Sequence, residues 1–79
     1  MHPKKLAYYR RWERSRLAEQ SGLRVHDRYH QVLFEDVTGE KVFALVWWRD
    51  TRSWRDYKGR EGEAKTALDA LKAWLSLPR

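Results

Sequence analysis

Cysteine is absent from this 79-residue chain, which excludes disulfides and thiolate metal sites and leaves stability to apolar packing. Long apolar runs are absent too. The longest uncharged one, Val42–Trp48, falls far short of the roughly 20 residues a membrane span needs. The basic start Met1–Lys5 leads into no apolar signal-peptide core, so a soluble, intracellular protein of the cytoplasm is expected. There is no Gly-rich phosphate loop, no Gly-x-Ser-x-Gly elbow and no thiol nucleophile, so the common phosphate-cradle and acyl-transfer chemistries have no foothold. The only clustered ligand-type residues, His26, Asp27 and His30, read as loop entering strand, where they stand too far apart for one ion. No metal, no cofactor and no catalytic residue is expected.

What the chain does have is aromatic rings and positive charge. Five Trp, four Tyr and two Phe supply a core for a chain long enough for one domain, residues 1–79, which buries only roughly 60–65% of its unfolded surface. The net charge of +6 is unevenly placed: residues 1–28 carry eight Lys/Arg against three acidic residues. Residues 29–58 balance five against five, and residues 59–79 carry four against three. An excess concentrated in the N-terminal third favours an anionic partner.

Periodicity gives an α+β order. Pro3 suits the first position of a helix that ends near Ser21–Gly22, where Gly takes a left-handed cap. On it Leu6, Tyr9, Trp12 and Leu17 share one side and are expected to dock, while Arg10, Arg14 and, at the margin, Arg11 share another. Tyr29–Asp36 and Val42–Arg49 read as an antiparallel pair joined through the Gly-containing stretch Asp36–Lys41. The second run is apolar on both alternations, which predicts an inner strand covered on each face. Trp54–Lys58 is the third strand, reached through Asp50–Ser53. If Trp48-Arg49-Asp50 and Trp54-Arg55-Asp56 face each other, their Arg and Asp side chains pair across strands. Ala64, Ala67, Leu68, Leu71, Trp74 and Leu75 form the apolar stripe of a last helix, with Glu61 and Glu63 near its start and Pro78 closing it. The expected architecture is therefore an N-terminal helix, a three-stranded antiparallel sheet and a C-terminal amphipathic helix, α-β-β-β-α.

Binding rather than catalysis is the expectation from these residues. Lys4, Lys5, Arg10, Arg11 and Arg14 are the candidate phosphate contacts for RNA or DNA, with Tyr8 as the accessible aromatic that stacks on unpaired bases. The competing class is a protein-binding inhibitor or adaptor of the kind mobile elements encode, or a homodimer, using Trp47, Trp48 and Trp54 with Arg49 and Arg55, since Trp and Arg dominate interface hot spots. A third class is a metal-independent ribonuclease, in which His30 or Tyr57 moves a proton beside Arg49 and Arg55.

The α-β-β-β-α order resembles that of double-stranded-RNA-binding domains, and Gly59-Arg60-Glu61-Gly62-Glu63-Ala64-Lys65-Thr66-Ala67 looks like the loop and helix start after their third strand. The resemblance implies that the first helix meets one minor groove and the turn between the first two strands the next. Of the family's Lys-Lys-x-x-Lys phosphate clamp only Lys65 is present, with Glu61 and Gly62 in the earlier positions. The centre of the chain, Leu23-Arg24-Val25 followed by Tyr29–Glu35 and Val42–Arg49, is also similar in rhythm to ribonuclease toxins of the RelE/ParE type. That resemblance implies a reactive end at Arg49, Arg55 and Tyr57, although such proteins usually open with a strand that this chain lacks.

Overall fold

The computed structural model describes residues 3–38 and 43–78. The connection at 39–42, which holds half of the expected Asp36–Lys41 turn, and the side chain of Lys4 lie outside the described residues. Helix α1 spans Pro3–Gln20 and α2 spans Ala67–Leu75. Between them run β1 (Leu23–Asp27), β2 (Gln31–Asp36), β3 (Leu45–Trp48), β4 (Ser53–Asp56) and β5 (Glu61–Glu63). Each strand pairs antiparallel with the next, giving one five-stranded meander in the order β1-β2-β3-β4-β5. The protein is α+β as expected, and its sheet has five strands rather than three.

The two additional strands lie at the sheet edges. In β1, Leu23 and Val25 point to the core while Arg24 and His26 point away, and His26 Nε2 lies 2.6 Å from Glu35 Oε2 on the neighbouring strand. β5 is Glu-Gly-Glu, a sequence with no strand propensity of its own. It pairs because Gly62, opposite Trp54, leaves room for the indole: a Cβ there would come within 2.8 Å of three ring atoms.

Strand alternation puts Val32, Phe34, Leu45, Trp47 and Trp54 on one face, packed against Ala18 of α1 and Ala67, Ala70 and Leu71 of α2. Leu33, Val46, Trp48 and Arg55 occupy the opposite face, which no helix covers among the described residues. The expectation of cover on both faces of the β3 run is thus met by helices on one only. The echoing Arg and Asp residues do not pair with each other, because the register sets Trp47 opposite Trp54 and Val46 opposite Arg55. Arg49 binds Asp27 instead, and Arg55 binds Glu61 at 2.9 Å. Asp56 is buried and accepts from the Arg60 side chain at 2.7 Å, the Trp74 indole at 3.0 Å and the Lys58 and Arg60 amides.

Both helices start or stop where local chemistry requires. Gly22 takes φ 74° after α1, as a left-handed cap does, and Ser21 and Gly22 donate to the last carbonyls of the helix. α2 begins later than its acidic residues suggest. Thr66 is its N-cap, with Oγ1 accepting from Asp69 N at 3.1 Å, so Glu61 and Glu63 lie in β5 and not in the first turn of the helix. From Ala67 on, the expected stripe is the packed one: Ala67, Leu68 and Leu71 are buried, and Trp74 and Leu75 half-buried, while Ala64 precedes the helix.

Helix α1 docks on a face other than the expected one. Arg14 and Ala18, four residues apart, are buried and Leu17 half-buried, whereas Leu6, Tyr9 and Trp12 are exposed, Trp12 at 53%. The physical reason is steric and electrostatic. The methyl of Ala18 lets the helix approach the sheet closely, and Arg14 meets Asp27 of β1 at 3.1 Å. Every described side chain from Lys5 to Glu13 is exposed, so the first turns of α1 extend beyond the packed core. Glu13 and Lys72, 3.0 Å apart, tie this helix to α2.

Candidate functional site

The close approach of α1 to the amino end of α2 leaves a cleft of about 270 Å³. Its walls bring together Arg10, Arg11 and Arg14 from α1, Arg49 from the β3–β4 connection and Lys65, with Asp27 as the one carboxylate among the lining residues. Thr66, Ala67 and Leu68, the first residues of α2, form one end. The amides opening a helix have no partner within it and carry the positive end of its dipole. Five cationic side chains, one carboxylate and a helix amino terminus give this cleft a strongly positive potential.

Two of the arginines are held in place and two are not. Arg14 is 9% exposed and bonds Asp27 through one terminal nitrogen, while its Nε is buried without a hydrogen-bond partner. An unsatisfied buried donor costs about 1–3 kcal/mol, a cost that the Asp27 bond to the terminal nitrogen must offset. Arg49 is braced three ways: Nε donates to Tyr29 O at 3.1 Å, a terminal nitrogen bonds Asp27, and the guanidinium lies over the Trp47 ring, 5.8 Å from its centroid. Arg10, Arg11 and Lys65 are exposed and have no carboxylate partner among the described residues. Two anchored cations thus set the shape, and three exposed ones stand beside them.

A second, shallower depression continues from the cleft, sharing Arg11, Asp27 and Arg49 and adding Arg28, Tyr29 and His30 from the β1–β2 turn and Asp50 beside Arg49. The positive surface therefore runs from the start of α2, past α1, to the tip of the first hairpin.

Of the residues singled out in the sequence, Arg10, Arg11 and Arg14 line the cleft, Arg14 as an anchored member rather than an exposed one. Lys5 and Tyr8 are exposed on α1 outside its lining, Tyr8 at 67%. Trp47 and Trp54, each 5% exposed, belong to the core and cannot form an exposed patch, and Trp48 is half-buried on the uncovered sheet face. Arg55 lies on that same face against Glu61. The four residues grouped for proton transfer are dispersed: Arg49 N donates to His30 O at 3.0 Å, but Tyr57 lines a different cleft beside Arg60, and Arg55 is on the other side of the sheet. Sequence reading gave no site role to Arg28 or Tyr29, and placed Lys65 only through a resemblance. A clue for the first two was available, since Asp27-Arg28-Tyr29-His30 separates two alternating segments as a hairpin turn would.

No protein-family model matches the chain, and neither a curated protein nor a solved structure is significantly similar to it. What fold and site define is a class, a small α+β domain with a helix-flanked cationic cleft. Among the described residues no helix is long and apolar enough to cross a membrane.

Proposed function

We propose that the protein binds nucleic acid through the phosphate backbone, with the cleft between α1 and the start of α2 as the principal contact. One observation carries this reading: five cations from three separate segments converge around a helix amino end, and three of them lack a carboxylate partner among the described residues. A merely solvated basic surface does not require such convergence. Phosphate oxygens satisfy guanidinium forks and helix-end amides together. Lys5, exposed near the start of α1, lengthens the basic track.

Titration with RNA and DNA over a range of salt tests the proposal. Log affinity should fall linearly with log salt, by a slope of about 0.7 to 0.9 per phosphate neutralised. Replacing Arg10, Arg11 and Lys65 together by Gln should flatten that slope by about two while leaving the fold intact, since all three are exposed. Absence of binding at low salt would overturn the reading.

Protein contact is the second reading, and a single observation favours it. Tyr8, Tyr9 and Trp12 project from the side of α1 turned away from the core, where large aromatics serve neither packing nor phosphate contact. This reading moves the expected interface from Trp47 and Trp54 to Trp12, and partner affinity would not respond to neutralising the cleft.

A further inference from the structure

Tyr29 is the most exposed of the large hydrophobic side chains among the described residues, at 86%. Single exposed apolar groups are ordinary, so exposure alone means little; the support beneath this one is what counts. Arg28 N donates to Gln31 O at 2.8 Å and closes the β1–β2 turn. Arg49 then grips the tip twice, donating from Nε to Tyr29 O at 3.1 Å and from its amide to His30 O at 3.0 Å. The Tyr29 and His30 rings stand perpendicular, centroids 4.7 Å apart at 85°, and most of the tyrosine surface remains open to solvent. The backbone that carries the ring is therefore held before a ligand arrives. The ring sits in one depression with Arg11, Arg28 and Arg49, where cations outnumber the carboxylates Asp27 and Asp50, and Arg11 and Arg49 also wall the cleft.

We infer that the protein selects single-stranded nucleic acid, with an unstacked base lying on Tyr29 while the adjoining backbone phosphates run from Arg28 through Arg49 and Arg11 into the cleft. The inference rests on the proposed nucleic-acid function and narrows its substrate. A duplex offers its phosphates to the same cations, but its base faces are covered by their stacked neighbours. An aromatic ring held at the end of a cationic track gains contact only from a base that has left the stack. Because every base has a π face, the preference is for strandedness rather than for sequence.

The experiment compares three ligands of equal length at fixed salt by fluorescence anisotropy: a mixed-sequence single strand, its blunt duplex, and an abasic single strand with the same phosphates. The wild-type protein should bind the mixed-sequence strand most tightly. Tyr29→Ala should weaken that complex on the order of tenfold, the usual effect of removing one stacking aromatic, and leave the duplex, the abasic strand and the salt slope unchanged. Tyr29→Trp should restore the single-strand affinity. The bond to Arg49 uses the Tyr29 carbonyl, so these variants keep the turn. Duplex affinity equal to or above single-strand affinity, or equal weakening of all three ligands by Tyr29→Ala, overturns this inference alone. Failure of all three ligands to bind at low salt overturns the underlying function as well.

Discussion

Arg14 and Asp56 are both buried and charged, and their surroundings differ in how fully they satisfy the charge. Asp56 has its acceptor capacity filled from all sides, by Arg60, Trp74 and two backbone amides, whereas Arg14 keeps Nε without a partner at the edge of a cleft. The first is a structural lock between β4 and α2. Burial by itself raises the Asp56 carboxyl, but the hydrogen bonds from the Arg60 side chain and amide and from Trp74 together outweigh it and hold the pKa below the ordinary aspartate value. A folded-state pKa below the unfolded one stabilises the protein fully above about pH 4, and that contribution is lost as pH falls through the folded-state value. Urea unfolding at a series of pH values should show wild-type stability declining below about pH 4. Asp56→Ala should cost about 3 kcal/mol at neutral pH by orphaning the donors around it, and its stability should depend less on acid than that of the wild type.

At the scale of the element, β5 shows how tertiary context makes a strand from a sequence that does not ask for one. Gly62 lies against the Trp54 indole with no room for a side chain. Gly62→Ala would ordinarily gain a few tenths of a kcal/mol from the unfolded state, yet here it must displace a buried ring and should instead destabilise by about 1–3 kcal/mol. Thermal denaturation measures the loss, and a Trp54→Phe background, with a smaller ring, should shrink it. The same logic explains what was legible beforehand. β2, β3 and β4 announce themselves through Val32, Phe34, Val46 and the tryptophans, and α2 through the spacing of Ala67, Leu68 and Leu71. β1 hides because His26 and Asp27 give its end the look of a loop, and β5 because its pairing depends on a ring eight residues away. The orientation of α1 is hidden because its large apolar residues, Leu6, Tyr9 and Trp12, are not its docking face. Ala18 and an arginine with a buried partner dock instead, since close approach rewards a small residue and Asp27 rewards a cation.

For the whole molecule, the decisive feature is how the chain gathers charge that its linear order scatters. The basic excess of the first 28 residues locates Arg10, Arg11 and Arg14, but Arg49 and Lys65 join them only through the path of the meander and the start of α2. If net charge alone attracted polyanions, removing any three exposed cations from the total of +6 would weaken binding equally. If the gathered cleft does so, position decides. Arg24, Arg52 and Lys58 are exposed and lie outside the cleft lining, so replacing all three by Gln alters net charge as much as replacing Arg10, Arg11 and Lys65. Long-range attraction falls off within about 8–10 Å at physiological ionic strength, and beyond that distance a cation adds little to a bound phosphate. The distal triple variant should therefore lose at most a few-fold in affinity near 0.15 M salt. The cleft variant should lose on the order of a hundredfold under the same conditions, with each lost charge-assisted contact contributing roughly 1 kcal/mol or slightly more. Equal losses in the two variants would reduce the cleft to one part of a uniformly basic surface.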